Sequence, residues 1–437
     1  MFRFVTRVSL FLVGFSLPIS SLGFQIPGFP ITANKLATAF LLILAAIYWL
    51  FGGHRRPRDR KAPWVLAFGA SFAISNIVGL VQDAPVVPTL VVTTTFLALI
   101  LYLFLIPYVV ATRSDLVLLM WSLVLGAAFA SSPLLLGFHP SVGEERFEGL
   151  SSANVLGLDL LVCLAIAAAL FFSTRRQWAR LILGGAIALI MAGILLSLSR
   201  AAFVSVALMW GLWIYRSGRL DTIKYAIPAL LLLAGVALFS PRAVVQRVET
   251  IINPRARAAD TSIQSRFTQV PVAAMAFGSN PLLGVGTVNF HYWSLKIPGS
   301  AGEEIHNAYL NIAATQGLLG LIPFLLIFGL TWNDYGRAIR TVRARRRLRD
   351  RQLAELGHYA VFLQIAFAGT MLDSVFHPTQ KSKSLWLCFA LSTVLVSLVR
   401  QRVAELEAGA ELGERTEPAP AFAGPGFDSE PARAFGG

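Results

Sequence analysis

The sequence predicts an all-α polytopic membrane protein of about twelve transmembrane helices with one large periplasmic loop, and three observations lead there. Hydrophobic residues make up 56% of the 437 positions and charged residues only 14%, where soluble domains carry about a quarter. Mean hydropathy is +0.66. The apolar residues also fall into runs near the ~20 residues that a helix needs to cross ~30 Å of hydrocarbon.

The runs can be taken in order. Arg3 before the first run, 5–22, and Arg7 near its start stand as in a signal peptide, but no small-x-small cleavage site follows, so it reads as the first helix. Runs at 31–51, 63–82, 87–112, 115–138 and 152–173 come next. The stretch 181–215 is too long for one span, because about 35 helical residues reach about 52 Å. Arg200 divides it into 180–197 and 201–216, and the remaining runs are 222–240, 307–331, 355–375 and 384–399. The expected organisation is therefore helices over 1–240, a periplasmic loop or cap over 241–305, further helices over 306–400, and a tail over 401–437. The Ala, Gly, Pro and Glu content of the tail predicts disorder.

Charge sets the orientation. With the N-terminus inside, most of the 37 lysines and arginines fall in cytoplasmic segments, including the run RTVRARRRLRDR at 340–351. That run reads as a topology signal facing anionic lipid, not as a nucleic-acid patch, so no nucleic-acid partner is expected. Both termini are then cytoplasmic. Cys163 and Cys388 both lie in spans, which argues against a disulfide framework and a metal-type spacing.

Candidate chemistry lies on the outer side. The segment 241–305 holds an amphipathic piece, SRFTQVPVAAMAF, in which Pro271 predicts a helix interruption after Arg266, and a turn-rich GSNPLLGVGTVNF. The segment is expected to fold as a cap on the membrane surface. It is also basic where basic residues are disfavoured, with Arg255, Arg257 and Arg266 among its cations, and an anionic ligand would account for that. Arg200, in LLSLSRAAFV, sits at the tip of a helical hairpin. It either snorkels to the interface or recognises phosphate with its planar fork.

In EEIHNAYLNIAATQGLLG, His306 and Asn307 head an apolar run. At about 100° per residue His306, Leu310, Ala313, Gly317 and Gly320 share one helical stripe, with the glycines admitting a neighbouring helix. At that helix N-terminus His306 either caps the helix or stays a neutral imidazole able to take a proton. Asp373 and His377 in MLDSVFHP are spaced to share a helix face, as a proton-handling or ligand-binding pair or as an interface pair fixing the helix end.

These residues carry a resemblance. His306-Asn307, nine residues, Gly317, two residues and Gly320 resemble the signature of the O-antigen ligase and polysaccharide polymerase family. SLSRAAF around Arg200, Arg266 in SRF, Gly284 and Gly286 in NPLLGVGTVNF, and Arg146 through Asn154 in RFEGLSSAN are similar to further segments of that family, in order. The resemblance implies transfer of a glycan from an undecaprenyl-pyrophosphate carrier to an acceptor hydroxyl, on lipid A core or a growing polysaccharide, at the periplasmic face of a bacterial inner membrane. It implies His306 as general base, Arg200 and Arg266 on the leaving pyrophosphate, and Arg146, Asn154, Asn307, Arg255 and Arg257 as substrate-binding. Gly284, Gly286, Gly317 and Gly320 are then structural, and no metal or cofactor is implied. A polysaccharide or lipid-linked-sugar transporter is the competing reading, which charges within the spans or a repeat of halves would favour.

Overall fold

The computed structural model describes residues 2–19, 23–26, 29–51, 59–82, 84–135, 153–197, 199–217, 249, 253, 261–300 and 302–416. Among these lie helices α1 (Phe2–Ser16), α2 (Ala33–Phe51), α3 (Ala62–Val81), α4 (Val86–Val109), α5 (Arg113–Leu135), α6 (Ala153–Ser173), α7 (Gln177–Leu196) and α8 (Arg200–Ser217). Then follow α9 (Thr261–Ser279), the short α10 (Asn289–Ser294), α11 (Ala308–Ala344), α12 (Arg351–Asp373) and α13 (Lys383–Thr416). The architecture is helical, with one departure from the all-α expectation: strands β1 (Gly23–Ile26) and β2 (Phe29–Thr32) form an antiparallel hairpin.

Seven of the described helices are long and apolar enough to cross a membrane. They make this a multi-pass membrane protein. The expected span 222–240 lies outside the described residues, while α1, α2, α8 and α12 pack beside the seven. α12 lies against α6, α8, α11 and α13, and α3 against α4 and α11. Where they meet, Phe68, Phe96, Phe324, Phe328, Phe367, Trp386 and Phe389 form a continuous aromatic cluster. In lipid such packing stabilises through close dispersion contacts, because leaving hydrocarbon gains little. On α4 the outward face carries Val87, Leu90, Leu97 and Leu101 at helical spacing, a lipid-facing stripe.

Two helices outrun their apolar cores. α11 was expected to stop at 331 but continues to Ala344, because Thr331, Asp334, Tyr335, Ala338 and Ile339 keep one face buried at a helical period. Tyr335 donates to the Cys388 carbonyl at 2.7 Å. α13 continues through the start of the expected tail to Thr416: Val403 is buried, Leu406 packs on the core, and Arg402 holds Asp350 at 2.7 and 3.1 Å.

The break in α11 matters more. Gly317 has φ 63° and ψ −159°, which stops the helix for one residue. Backbone polar groups freed in a membrane must find partners, and here a loop supplies them. Val285 and Gly286 donate to the carbonyls of Ala314 and Thr315, each at 3.0 Å, while Leu318 and Leu319 donate to those of Pro281 and Leu282 at 2.8 and 3.1 Å. A Cβ on Gly284 would stand 2.3 Å from the Thr315 carbonyl carbon, and one on Gly317 2.4 Å from that of Leu282. Glycine is required on both sides of this seam.

The seam corrects the single-stripe reading of α11. Gly317 serves the approach of the 281–286 loop, not of another helix, and a Cβ on Gly320 would meet the side chain of Gln316 of the same helix at 2.4 Å. Gly286, at φ +89°, lies against Ser75 and Gly79 of α3, and Thr287 donates to Asn76 at 3.2 Å. The loop is thus bound to α3 as well as α11. Pro271 is a further correction: α9 runs unbroken through it. Proline removes one backbone donor, and the helix tolerates that loss.

Candidate active site

Arg200 owes its place to two serines. Ser197 ends α7, and Ser199 accepts from the Ala202 N–H at 3.4 Å at the start of α8, so the turn takes three residues. Both serines are buried. Arg200 is the first residue of α8, where the helix dipole adds to the pull of its guanidinium on an anion.

Arg266 lies on α9, one turn before Gln269. Gln269 is the organiser of this corner. It donates to Glu303 at 2.9 Å and accepts from the His306 backbone N–H at 3.1 Å. Asn307 takes the N-cap position of α11 in extended conformation, its Oδ1 accepting from Leu310 N–H at 2.9 Å. Ala308 N–H donates to the Ser374 carbonyl at 2.8 Å, which ties the start of α11 to the end of α12. His306 therefore stands just outside the helix, held by its own backbone and by its neighbours.

Two cavities meet at this histidine. The first, about 420 Å³, is lined by Arg200, Arg266, Gln269, His306 and Asn307 among otherwise apolar side chains, and among the described residues no carboxylate lines it. The second, about 330 Å³, is lined by His306 together with Asn154, Asp159, Glu304, Asp373 and His377, with Lys381 and Lys383 also on its wall. The His306 imidazole is pushed below its ordinary value of 6.5, first by burial and then by the Arg266 charge, against an opposing pull from Glu304. It is neutral at neutral pH and has a free lone pair for a proton.

A family model described as O-Antigen ligase matches residues 185–325. That stretch is similar to the O-antigen ligase family and covers about a third of the chain. No curated protein matches the chain.

The matched segment contains Arg200, Arg266, His306 and the loop glycines, and the fold draws the first three from separate elements into one cavity. Asn154, at the start of α6, faces the second cavity instead. Arg146, Arg255 and Arg257 lie outside the described residues. Asn307, expected to bind substrate, lines the first cavity while its Oδ1 caps α11. The Asp373–His377 pair forms at 3.0 Å, both residues buried. Sequence reasoning passed over Gln269, although its spacing of three from Arg266 is a helical-face signal. Asp159 gave no comparable signal, because only the tertiary fold brings Ser384 to it.

Proposed function

We propose that the protein transfers a glycan from an undecaprenyl-pyrophosphate carrier to an acceptor sugar hydroxyl, as an O-antigen ligase or polymerase, at the periplasmic face of a bacterial inner membrane. The observation that carries this is the convergence of two guanidiniums and one neutral imidazole on a single cavity within the matched family segment.

The roles follow from charge. Arg200 and Arg266 take the pyrophosphate, whose negative charge grows as the sugar leaves, and charge-assisted bonds from planar guanidiniums suit that task. The acceptor oxygen attacks the anomeric carbon, the bond from that carbon to the phosphate oxygen breaks, and its electron pair leaves with the pyrophosphate. The hydroxyl proton passes to His306 as general base. Attack opposite the leaving group inverts the anomeric carbon in one displacement.

The test is complementation of a deletion strain with wild type, His306→Ala, Arg200→Ala or Arg266→Ala at equal membrane levels, followed by analysis of surface glycan and carrier-linked glycan. Wild type should restore surface glycan while the variants leave glycan on the carrier. Normal surface glycan in all three variants would sink the reading and favour transport or a structural role. Long chains held on the carrier beside bare lipid A core identify a ligase, and lipid A core bearing single repeats identifies a polymerase.

A further inference from the structure

The second cavity differs in chemistry from the first. Its wall carries Asp159, Glu304 and Asp373 beside Lys381 and Lys383, with Glu304 accepting from Lys381, so its charge is mixed, whereas the first holds two arginines and, among the described residues, no carboxylate. It also holds an incomplete hydrogen-bond set. His377 Nδ1 lies 3.0 Å from Asp373 Oδ2, so with a carboxylate accepting, Nδ1 carries the proton and Nε2 of the neutral ring presents a lone pair. That Nε2 and Asp373 Oδ1 are both buried and have no partner among the described residues. Buried acceptors without donors are costly, and two on one cavity-lining pair point to a ligand that donates.

We infer that the second cavity binds the acceptor sugar, with hydroxyl groups donating to His377 Nε2 and Asp373 Oδ1, and that this pair sets which acceptor hydroxyl meets His306. A polyhydroxyl ligand supplies neutral donors at the needed density, and Asn154 on the opposing helix adds an amide that can donate and accept. His306, shared by both cavities, then stands between a carrier phosphate on one side and a sugar hydroxyl on the other. Of the second cavity's lining, only Glu304 and His306 fall inside the matched family segment. This inference rests on the glycan-transfer reading and assigns the acceptor half of that site.

The experiment uses full-length protein in nanodiscs, a fixed amount of carrier-linked glycan extracted from the deletion strain, and a dilution series of acceptor membranes from the same strain. His377→Gln and Asp373→Asn should raise the acceptor amount for half-maximal transfer about tenfold, and Asn154→Ala about threefold, the cost of one lost hydrogen bond or less. Thermal stabilisation by added undecaprenyl pyrophosphate should match wild type in all three and be lost in Arg200→Ala. Wild-type half-saturation in folded His377→Gln and Asp373→Asn would overturn the inference, as would loss of undecaprenyl-pyrophosphate stabilisation, which would put the pair on the donor side. Should both of those variants unfold, Asn154→Ala decides, and unchanged half-saturation there overturns it. Absence of transfer by wild type would instead remove the glycan-transfer reading and this inference with it.

Discussion

Lys61 and His377 are both buried polar residues paired with an aspartate, yet they sit in opposite kinds of site. Lys61 Nζ donates to Asp334 at 2.6 Å, to Ser392 at 2.8 Å and to Thr393 at 2.7 Å, which uses all three of its protons. Asp334 in turn accepts from Arg337 with its other oxygen, and Asp59 accepts from Thr393 at 2.7 Å. Around Lys61 every proton is taken up, and the cluster fastens the start of α3 to α11 and α13. His377 and Asp373 each keep one buried atom without a partner among the described residues, beside a cavity. A closed polar cluster holds helices together, while an open one at a cavity is where a ligand completes the set.

The sharpest way to break that comparison is activity. His306→Ala should lower transfer by about a hundredfold to ten-thousandfold, the usual worth of a general base, with thermal stability close to wild type, as read by carrier-linked glycan turnover and by melting in detergent. A large fall in stability instead would place His306 with Lys61 as a structural residue.

Lys61→Met should do the reverse, costing about 3 kcal/mol of stability because Ser392, Thr393 and one Asp334 oxygen lose their buried donor while Asp334 keeps only Arg337, measurable by denaturant titration of the purified protein. Transfer by the molecules that remain folded should be near normal.

Gly284→Ala tests the seam between the loop and the broken helix. It combines a left-handed backbone at φ +68° with a collision against the Thr315 backbone, and should cost more than about 2 kcal/mol. Gly299→Ala, at φ +81° with nothing among the described residues within 4 Å of its added Cβ, carries the backbone strain alone and should cost about 1 kcal/mol.

The pH profile gives a smaller and more specific effect. A general base works when deprotonated, and the His306 imidazole lies below 6.5, so the acid limb of the rate should fall below that pH. Arg266 is one cause of the lowering. Arg266→Gln should therefore move the limb to higher pH in whatever activity remains, and an unmoved limb would mean that the base is not His306.

The smallest effect belongs to the surface. Arg402→Ala removes a two-point contact to Asp350 on a partly exposed pair and should cost about 1 kcal/mol or less, read as a small shift in melting.

Much of the bundle is visible in one dimension, because a membrane demands long apolar helices and a sequence shows them directly. The break at Arg200 follows from length alone, and SLSR realises it with two serines that end one helix and start the next. The ends of α11 and α13 were not legible. Their last turns are polar, and they stay helical through contacts such as Tyr335 with Cys388 and Arg402 with Asp350.

The site divides along the same line. Sequence by itself singled out Arg200, Arg266 and His306, since a guanidinium or an imidazole at a membrane edge is conspicuous wherever it stands. It also marked Gly317 as special but gave it the wrong neighbour, because a helical period cannot reveal that a loop some thirty residues earlier docks into a break. Which charges share a cavity was decided only by the tertiary structure: α8, α9 and the start of α11 bring two arginines and a histidine together, and α6, α12 and the loop before α11 set carboxylates on the other side of that histidine. Residue types fix what each group is able to do, whereas distance in the folded chain fixes which groups act on one another.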